Sequence, residues 1–408
     1  MTTTTTTIKT STPSTLRFQQ VALSSSAVLL SLALAGCAAP KASTSSAVQP
    51  FDQAIAQATD ALVAQTHTLP SFLSKLEPRT TVMIDPMIDI VSGARTETTQ
   101  LMQKRVIERL GASKDTVEVI PFEGLNLSRA TYLLTGTVAR TVGKPGTPVQ
   151  IKLALTELRN GKVAAQATAI ARDDGLDGTP LATDQDSPVL AKDKVVDGYV
   201  RTTSTAPGQK ADPYYMEHVV VAPAINKATE AYATGRYADA LAQYSAAAAL
   251  PAGDQLRVLT GVYLSLVKLN RMPEAEAAFG KVVTYGIDNK QLGVKFLFTP
   301  GSTVFWPDPA VSGQYGMWLN QLATKATDAK VCMTVVGHTS RTGSQEFNDT
   351  LSMQRGSFIR DQLIGKSQVL ADRTKPDGKG FRENIVGSGT DNAVDALDRR
   401  VEFKVNPC

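Results

Sequence analysis

The sequence predicts a multidomain α+β chain, and three observations carry that prediction. Residues 79–172 mix helix and strand signals and end in an antiparallel pair of strands, the pattern of an α+β sandwich. Residues 218–289 are helical and repeat a pattern after 35 residues. Residues 290–408 interleave strands and helices again. With 408 residues and 42% hydrophobic content, the chain has length for several domains and apolar material for their cores.

Residues 1–36 read as an export signal. Lys9 and Arg17 supply positive charge with no acid, an apolar stretch runs from Val21 to Ala35, and small residues precede a cysteine. That stretch is too short and Ser-rich for a comfortable membrane span. Leu34-Ala35-Gly36-Cys37 resembles the bacterial lipobox, which implies a lipoprotein whose cysteine is acylated, palmitate included. The alternative is an ordinary secretory signal with Cys37 incidental. Acyl chains would hold the chain at about 0.8 kcal/mol per buried methylene. In lipoproteins an Asp after the cysteine marks inner-membrane retention. Ala38 stands here, which implies the outer membrane, facing the periplasm.

Two further cysteines remain, Cys332 and Cys408. In an oxidising compartment they form a candidate disulfide; otherwise they are two buried thiols. The formal charge of +4 falls by two when Lys9 and Arg17 leave, and no basic run occurs. That balance argues against nucleic acid as the main partner.

Residues 37–78 are expected as a tether, small and polar over 38–50, with one short helix from Phe51 to Val63 that aligns Phe51, Ile55, Ala58 and Leu62. Strands are expected over Thr81–Ile84, Val117–Phe122, Tyr132–Val138, Val149–Glu157 and Val163–Ala171. A helix is expected over Glu97–Leu110, with Leu101, Val106 and Leu110 inward and Gly111 as its stop. Along Val149–Glu157, Ile151, Leu153 and Leu155 share one face; Lys152, Ala154 and Thr156 share the other. Asn160-Gly161 marks a hairpin turn. The segments TVMID, YLLTGTV and IKLALTELRNGKV resemble the small domain found in the curli secretion channel protein, the Tol-system propeller protein and lipoprotein activators of peptidoglycan synthases. The resemblance implies protein docking and no catalytic residue. Residues 173–217, rich in Asp, Gly, Pro and Thr, read as a long irregular linker.

In 218–289, Gly235, Tyr237, Ala240 and Tyr244 recur as Asn270, Met272, Ala275 and Phe279. The spacing resembles tetratricopeptide repeats, whose small Ala positions let paired helices pack closely. The alternative is a plain helical hairpin against a neighbouring domain, and either offers a docking surface.

The final module, 290–408, carries the strongest motifs. Strand-type residues occupy Lys295–Thr299 and Thr303–Trp306, a helix Tyr315–Ala326, a strand Val331–Val336, a long helix Ser344–Leu363, and last strands Asn384–Val386 and Arg400–Val405. The blocks GHTSRTGSQEFNDTLSMQRG, VGSGTDN and ALDRRVEF closely resemble the OmpA-like peptidoglycan-binding domain. The resemblance implies a βαβαβ mixed sheet covered by helices. It also implies a ligand, the diaminopimelate of the peptidoglycan stem peptide, whose free end bears a carboxylate and an ammonium. The family's arginine, suited to a two-pronged grip on a carboxylate, falls on Arg355. Asn348 and Leu351 lie on the same helical face. Asn348 either contacts ligand or braces the loop, and Arg355 could instead form a surface ion pair. The family's Asp falls on Ser340, a departure that removes the partner of the ammonium. Asp349 and Asp391 are untested substitutes. Arg341 adds positive charge, and Arg399 or Arg400 packs against the loop.

Nothing points to an enzyme, a cofactor or a metal. His67, His218 and His338 have no metal-ligand spacing. Gly387-Ser388-Gly389 does not spell a nucleophile elbow, and the GHTSRTG loop lacks a phosphate-loop ending. His338 is expected to hydrogen-bond the backbone. The sequence thus implies an outer-membrane lipoprotein that holds peptidoglycan non-covalently and docks a protein through residues 79–289. The rival reading is an envelope assembly or regulatory factor.

Overall fold

The computed structural model describes residues 42–66, 79–112, 116–140, 147–190, 192–385 and 394–408. The leader with Cys37, His67, and Asp391 with the VGSGTDN block lie outside the described residues.

The first sheet contains β1 (Ser43–Gln49), β2 (Thr80–Ile84), β3 (Ile88–Asp89), β4 (Val117–Val119), β5 (Tyr132–Ala139), β6 (Val149–Glu157) and β7 (Lys162–Ala171). Its order is β1-β7-β6-β5-β2-β4, with β3 beside β5. β5, β6 and β7 form the expected antiparallel meander, while β2 runs parallel to β4 and β5. Helices α1 (Phe51–Thr66) and α2 (Glu97–Ala112) cover one face. Phe51, Ile55, Leu62, Met102 and Val106 meet Ile151, Leu153 and Leu155 there.

Several expectations change. The stretch expected as a flexible tether holds β1, which pairs parallel to β7 with Ser43 opposite Ala167. A strand can join an open edge through main-chain hydrogen bonds alone, so its small polar side chains gave no warning. In α2 the inward residue is Met102, not Leu101, which is 36% exposed. β4 stops at Val119, short of Phe122, because Pro121 has no N–H to donate.

Residues 173–217 are not an irregular linker. They carry α3 (Ala182–Asp186), α4 (Lys194–Thr203) and α5 (Pro213–His218). The Asp193 side chain caps α4 by accepting from the N–H groups of Val195 and Val196. Asp212 caps α5, where Pro213 sits at the first turn. α4 and α5 cover the second face of the sheet, placing Tyr199 and Tyr215 on Met83 and Leu133. Ala154 and Thr156, on the outward side of β6, are therefore buried as deeply as Leu153.

Four helices follow: α6 (Ala222–Ala233), α7 (Tyr237–Ala248), α8 (Leu256–Lys268) and α9 (Met272–Asp288). They form two hairpins on the anticipated repeat. Gly235 and Asn270 both turn the chain with positive φ, at 75° and 55°. Ala240 and Ala275 are fully buried, as are Tyr244 and Phe279. The second hairpin packs on the last module: Phe279 stacks on Trp318 at 5.6 Å, and the Trp318 indole N–H donates to the Tyr263 hydroxyl at 2.7 Å.

The last module runs β8 (Leu292–Val294), α10 (Pro309–Ser312), α11 (Tyr315–Asp328), β9 (Cys332–Gly337), α12 (Gln345–Lys366), β10 (Thr374–Gly378) and β11 (Val401–Asn406). The sheet order is β10-β9-β11-β8, with β10 parallel to β9 and the other neighbours antiparallel. This is the mixed βαβαβ arrangement. Its first strand lies before Lys295; residues 295–306 form a loop closed by a bridge between Phe298 and Phe305. Asn384 and Ile385 are not in a strand. β10 occupies the edge instead, where Pro376 costs no inward hydrogen bond. Asn406 pairs with Cys332 across β11 and β9, and Cys332 and Cys408 form a disulfide with Cα atoms 4.9 Å apart. The bond closes a loop of 76 residues. Replacing both cysteines by serine is expected to lower stability by about 2–4 kcal/mol in chemical denaturation. Two alkylatable thiols in protein isolated without reductant would contradict the pairing.

Candidate functional site

The loop His338–Gly343 joins β9 to α12, and Ser344 caps that helix by accepting from the Phe347 N–H at 3.2 Å. Two glycines seat α12 on the sheet. A Cβ on Gly337 would lie 2.0 Å from the Ser352 carbonyl oxygen. One on Gly356 would lie 2.7 Å from the carbonyls of Val335 and Asp377. The close approach turns Asn348, Leu351, Ser352 and Arg355 beneath the loop, all buried.

Arg355 is not a surface residue: it is 1% exposed. Its Nε donates to the Ser302 carbonyl at 3.1 Å, Nη1 to that of His338 at 3.3 Å, and Nη2 to that of Thr299 at 3.2 Å. The guanidinium carbon stands 4.9 Å from the Phe298 ring centre. Three of the five N–H groups thus fix the plane of the fork against main chain. Its charge therefore lies below the surface rather than on it.

The other expected residues gather around it. Asn348 Nδ2 donates to the carbonyls of Thr342 at 2.9 Å and Ser344 at 3.0 Å, which braces the loop. Leu351 is packed at 5% exposure, Ser340 is buried in the loop, and Arg399 is buried at the base of β11. Arg341 is exposed, its guanidinium 5.8 Å from the Phe381 ring centre. Asp349 pairs with Arg382, which engages the side chain considered as a substitute carboxylate.

His338 differs from expectation. Its ring is fully buried and meets carboxylates rather than a carbonyl: Nε2 lies 3.7 Å from Glu402 Oε2 and Nδ1 lies 4.0 Å from Glu383 Oε2. Burial pushes the imidazole below its ordinary value, and Arg400 pushes the same way. Burial alone would raise the Glu402 carboxyl, but His338 and Arg400 hold it down at about 2. Although the two shifts describe one pair, the firm contact is Arg400 Nε on Glu402 Oε1 at 2.7 Å. That contact accounts for an ionised Glu402 beside a neutral His338. His338, Glu383 and Glu402 each bring an oxygen or nitrogen within 4.8 Å of the others, close enough to share an ion. Arg400 and Lys404 already face the two carboxylates and supply positive charge there. Sequence reasoning missed Glu402 and Glu383 as partners; the Glu402 within ALDRRVEF was the available signal.

Comparisons with known proteins agree with the OmpA-like reading. No family model matches the chain. Outer membrane protein A of Shimwellia blattae is 34% identical over 98 residues, 21% of this chain and 40% of that protein. The same protein of Escherichia fergusonii is 37% identical over 79 residues, 17% of this chain and 32% of its own length. The chain therefore spans two fifths or less of these relatives. Among solved structures, the peptidoglycan-associated lipoprotein from Burkholderia pseudomallei matches with 22% identity and a TM-score of 0.23, over 27% of this chain and 88% of that one. The cell wall anchor of the T6SS from Pseudomonas aeruginosa matches with 21% identity and a TM-score of 0.22, over 27% and 76%. The chain carries an OmpA-like domain.

Arg355→Ala is expected to destabilise the last module, because three carbonyls lose a charged donor. The expected loss in urea denaturation is at least about 2 kcal/mol. A loss under about 0.5 kcal/mol, as at an ordinary surface position, would contradict this burial.

Proposed function

We propose that this protein is a cell-envelope protein that binds peptidoglycan non-covalently through residues 290–408 and is held to the outer membrane by lipid on Cys37, facing the periplasm. Its role is binding rather than catalysis. Similarity to outer membrane protein A supports the wall-binding reading. The observation that carries it is the Arg355 fork, set at the floor of the β9–α12 loop by three carbonyls. A charge held that rigidly needs little reorganisation to meet a carboxylate, such as that of diaminopimelate. Ser340 offers a hydroxyl but no charge to the ligand's ammonium, so the carboxylate dominates recognition.

A second role, docking a protein in an assembly or regulatory complex, rests on one groove between the sandwich and the hairpins. It has a volume of about 860 Å³ and is lined in part by Ile107, Leu125 and Val220. These are 40%, 86% and 57% exposed, a patch of the kind that marks contact surfaces.

Sedimentation with purified sacculi tests the wall reading. Wild type should co-sediment, and Ser340→Asp should tighten binding about ten-fold by giving the ammonium a partner. In cells, Cys37→Ala should move the protein out of the membrane fraction. A folded wild type that stays in the supernatant would overturn wall binding and leave docking as the function.

A further inference from the structure

A cavity of about 60 Å³ lies where the sandwich, α3 and the helical hairpins meet, and every residue lining it precedes the last module. Four charged side chains reach its wall: Asp85 from the end of β2, Arg95 from the loop before α2, Asp184 from α3 and Arg257 from α8. Among the described residues, no ion pair within 4.0 Å joins any two of them. Each is held by a neutral group instead. The Tyr215 hydroxyl donates to Asp85 at 2.5 Å, and the Arg95 main-chain N–H donates to Asp184 at 3.0 Å. Arg95 Nη1 donates to the Asn226 side chain at 3.2 Å, and Arg257 Nη2 to that of Gln255 at 3.1 Å. Arg257 Nε and the Thr260 hydroxyl are buried with no hydrogen-bond partner, and Thr260 is only 6% exposed.

Keeping opposite charges around one largely buried space without pairing them is costly for the protein alone. Burial pushes both carboxyls up, while Arg257 pulls Asp85 down and Arg95 pulls Asp184 down. An anion would answer only the arginines, and a cation only the aspartates. A ligand with both charges on neighbouring atoms answers both. One water needs roughly 10–15 Å³ of such space, so the cavity takes a few water-sized groups, the size of a short amino acid.

We propose that this cavity binds a small zwitterion, a free amino acid of glycine or alanine size, its carboxylate on Arg257 and Thr260 and its ammonium on Asp85 and Asp184. The site is separate from the wall-binding loop and does not depend on that reading. Because its walls come from three modules, occupation would tie them together and raise the melting temperature.

Titration calorimetry on the full chain with glycine, L-alanine and D-alanine tests the proposal, with acetate and methylammonium as single-charge controls and phenylalanine as the size control. Saturable binding of glycine or an alanine at millimolar concentration is expected, with each control at least about ten-fold weaker. Asp85→Asn and the milder Thr260→Val should each weaken it by a similar factor, with circular dichroism and sacculus sedimentation unchanged. Absence of saturable binding by all three amino acids would overturn the proposal. So would acetate or phenylalanine binding as tightly as glycine, or a Thr260→Val protein that is folded and binds like wild type.

Discussion

A guanidinium taken out of water must find acceptors close by, and Arg355 finds them in two separate stretches of main chain. Thr299 and Ser302 belong to the loop after β8, and His338 to the loop after β9. The side chain therefore does more than present a charge. It ties the long helix to both loops and sets the floor of the candidate binding surface. The glycines at 337 and 356 make this reach attainable, since any side chain there would lift α12 off the sheet. In the proposed function, stability and recognition share one residue, so an alanine at 355 tests both together.

The same economy joins the modules. One hydrophobic core runs from the hairpins into the last domain, with Phe279, Trp318 and Phe296 in contact. Asp193 caps α4 and also accepts from the Leu256 N–H of α8 at 2.8 Å, linking the sandwich's cover to the hairpins. Lys295, buried beside β8, donates to the Asp184 carbonyl at 2.9 Å and is pushed down to about 8 by that burial. A chain that composition divides into separate beads is thus stitched by polar contacts at each seam.

What the sequence revealed follows from where its information lies. The α12 helix was legible because Ser344 is a strong cap and the inward residues keep helical spacing. That spacing put Arg355 on one face with Asn348 and Leu351, but its acceptors were not foreseen, since a carbonyl belongs to every residue and carries no signature. β10 was missed because TKPDG is poor strand composition, acceptable only on an edge. α4 and α5 were hidden by the Asp, Gly, Pro and Thr content of 173–217, although Asp193 and the Asp212-Pro213 pair are start signals. The departure at Ser340 was visible at once.

The central claim is that a pre-set Arg355 receives the stem-peptide carboxylate. Nuclear magnetic resonance of the wild-type protein, titrated with a soluble diaminopimelate-containing stem peptide, tests it most directly. Saturable shifts of the Arg355 Nε–H and of the amides of residues 338–343 are predicted, with weaker shifts when that carboxylate is amidated. A folded protein whose Arg355 and loop signals stay unmoved by saturating peptide would contradict the account.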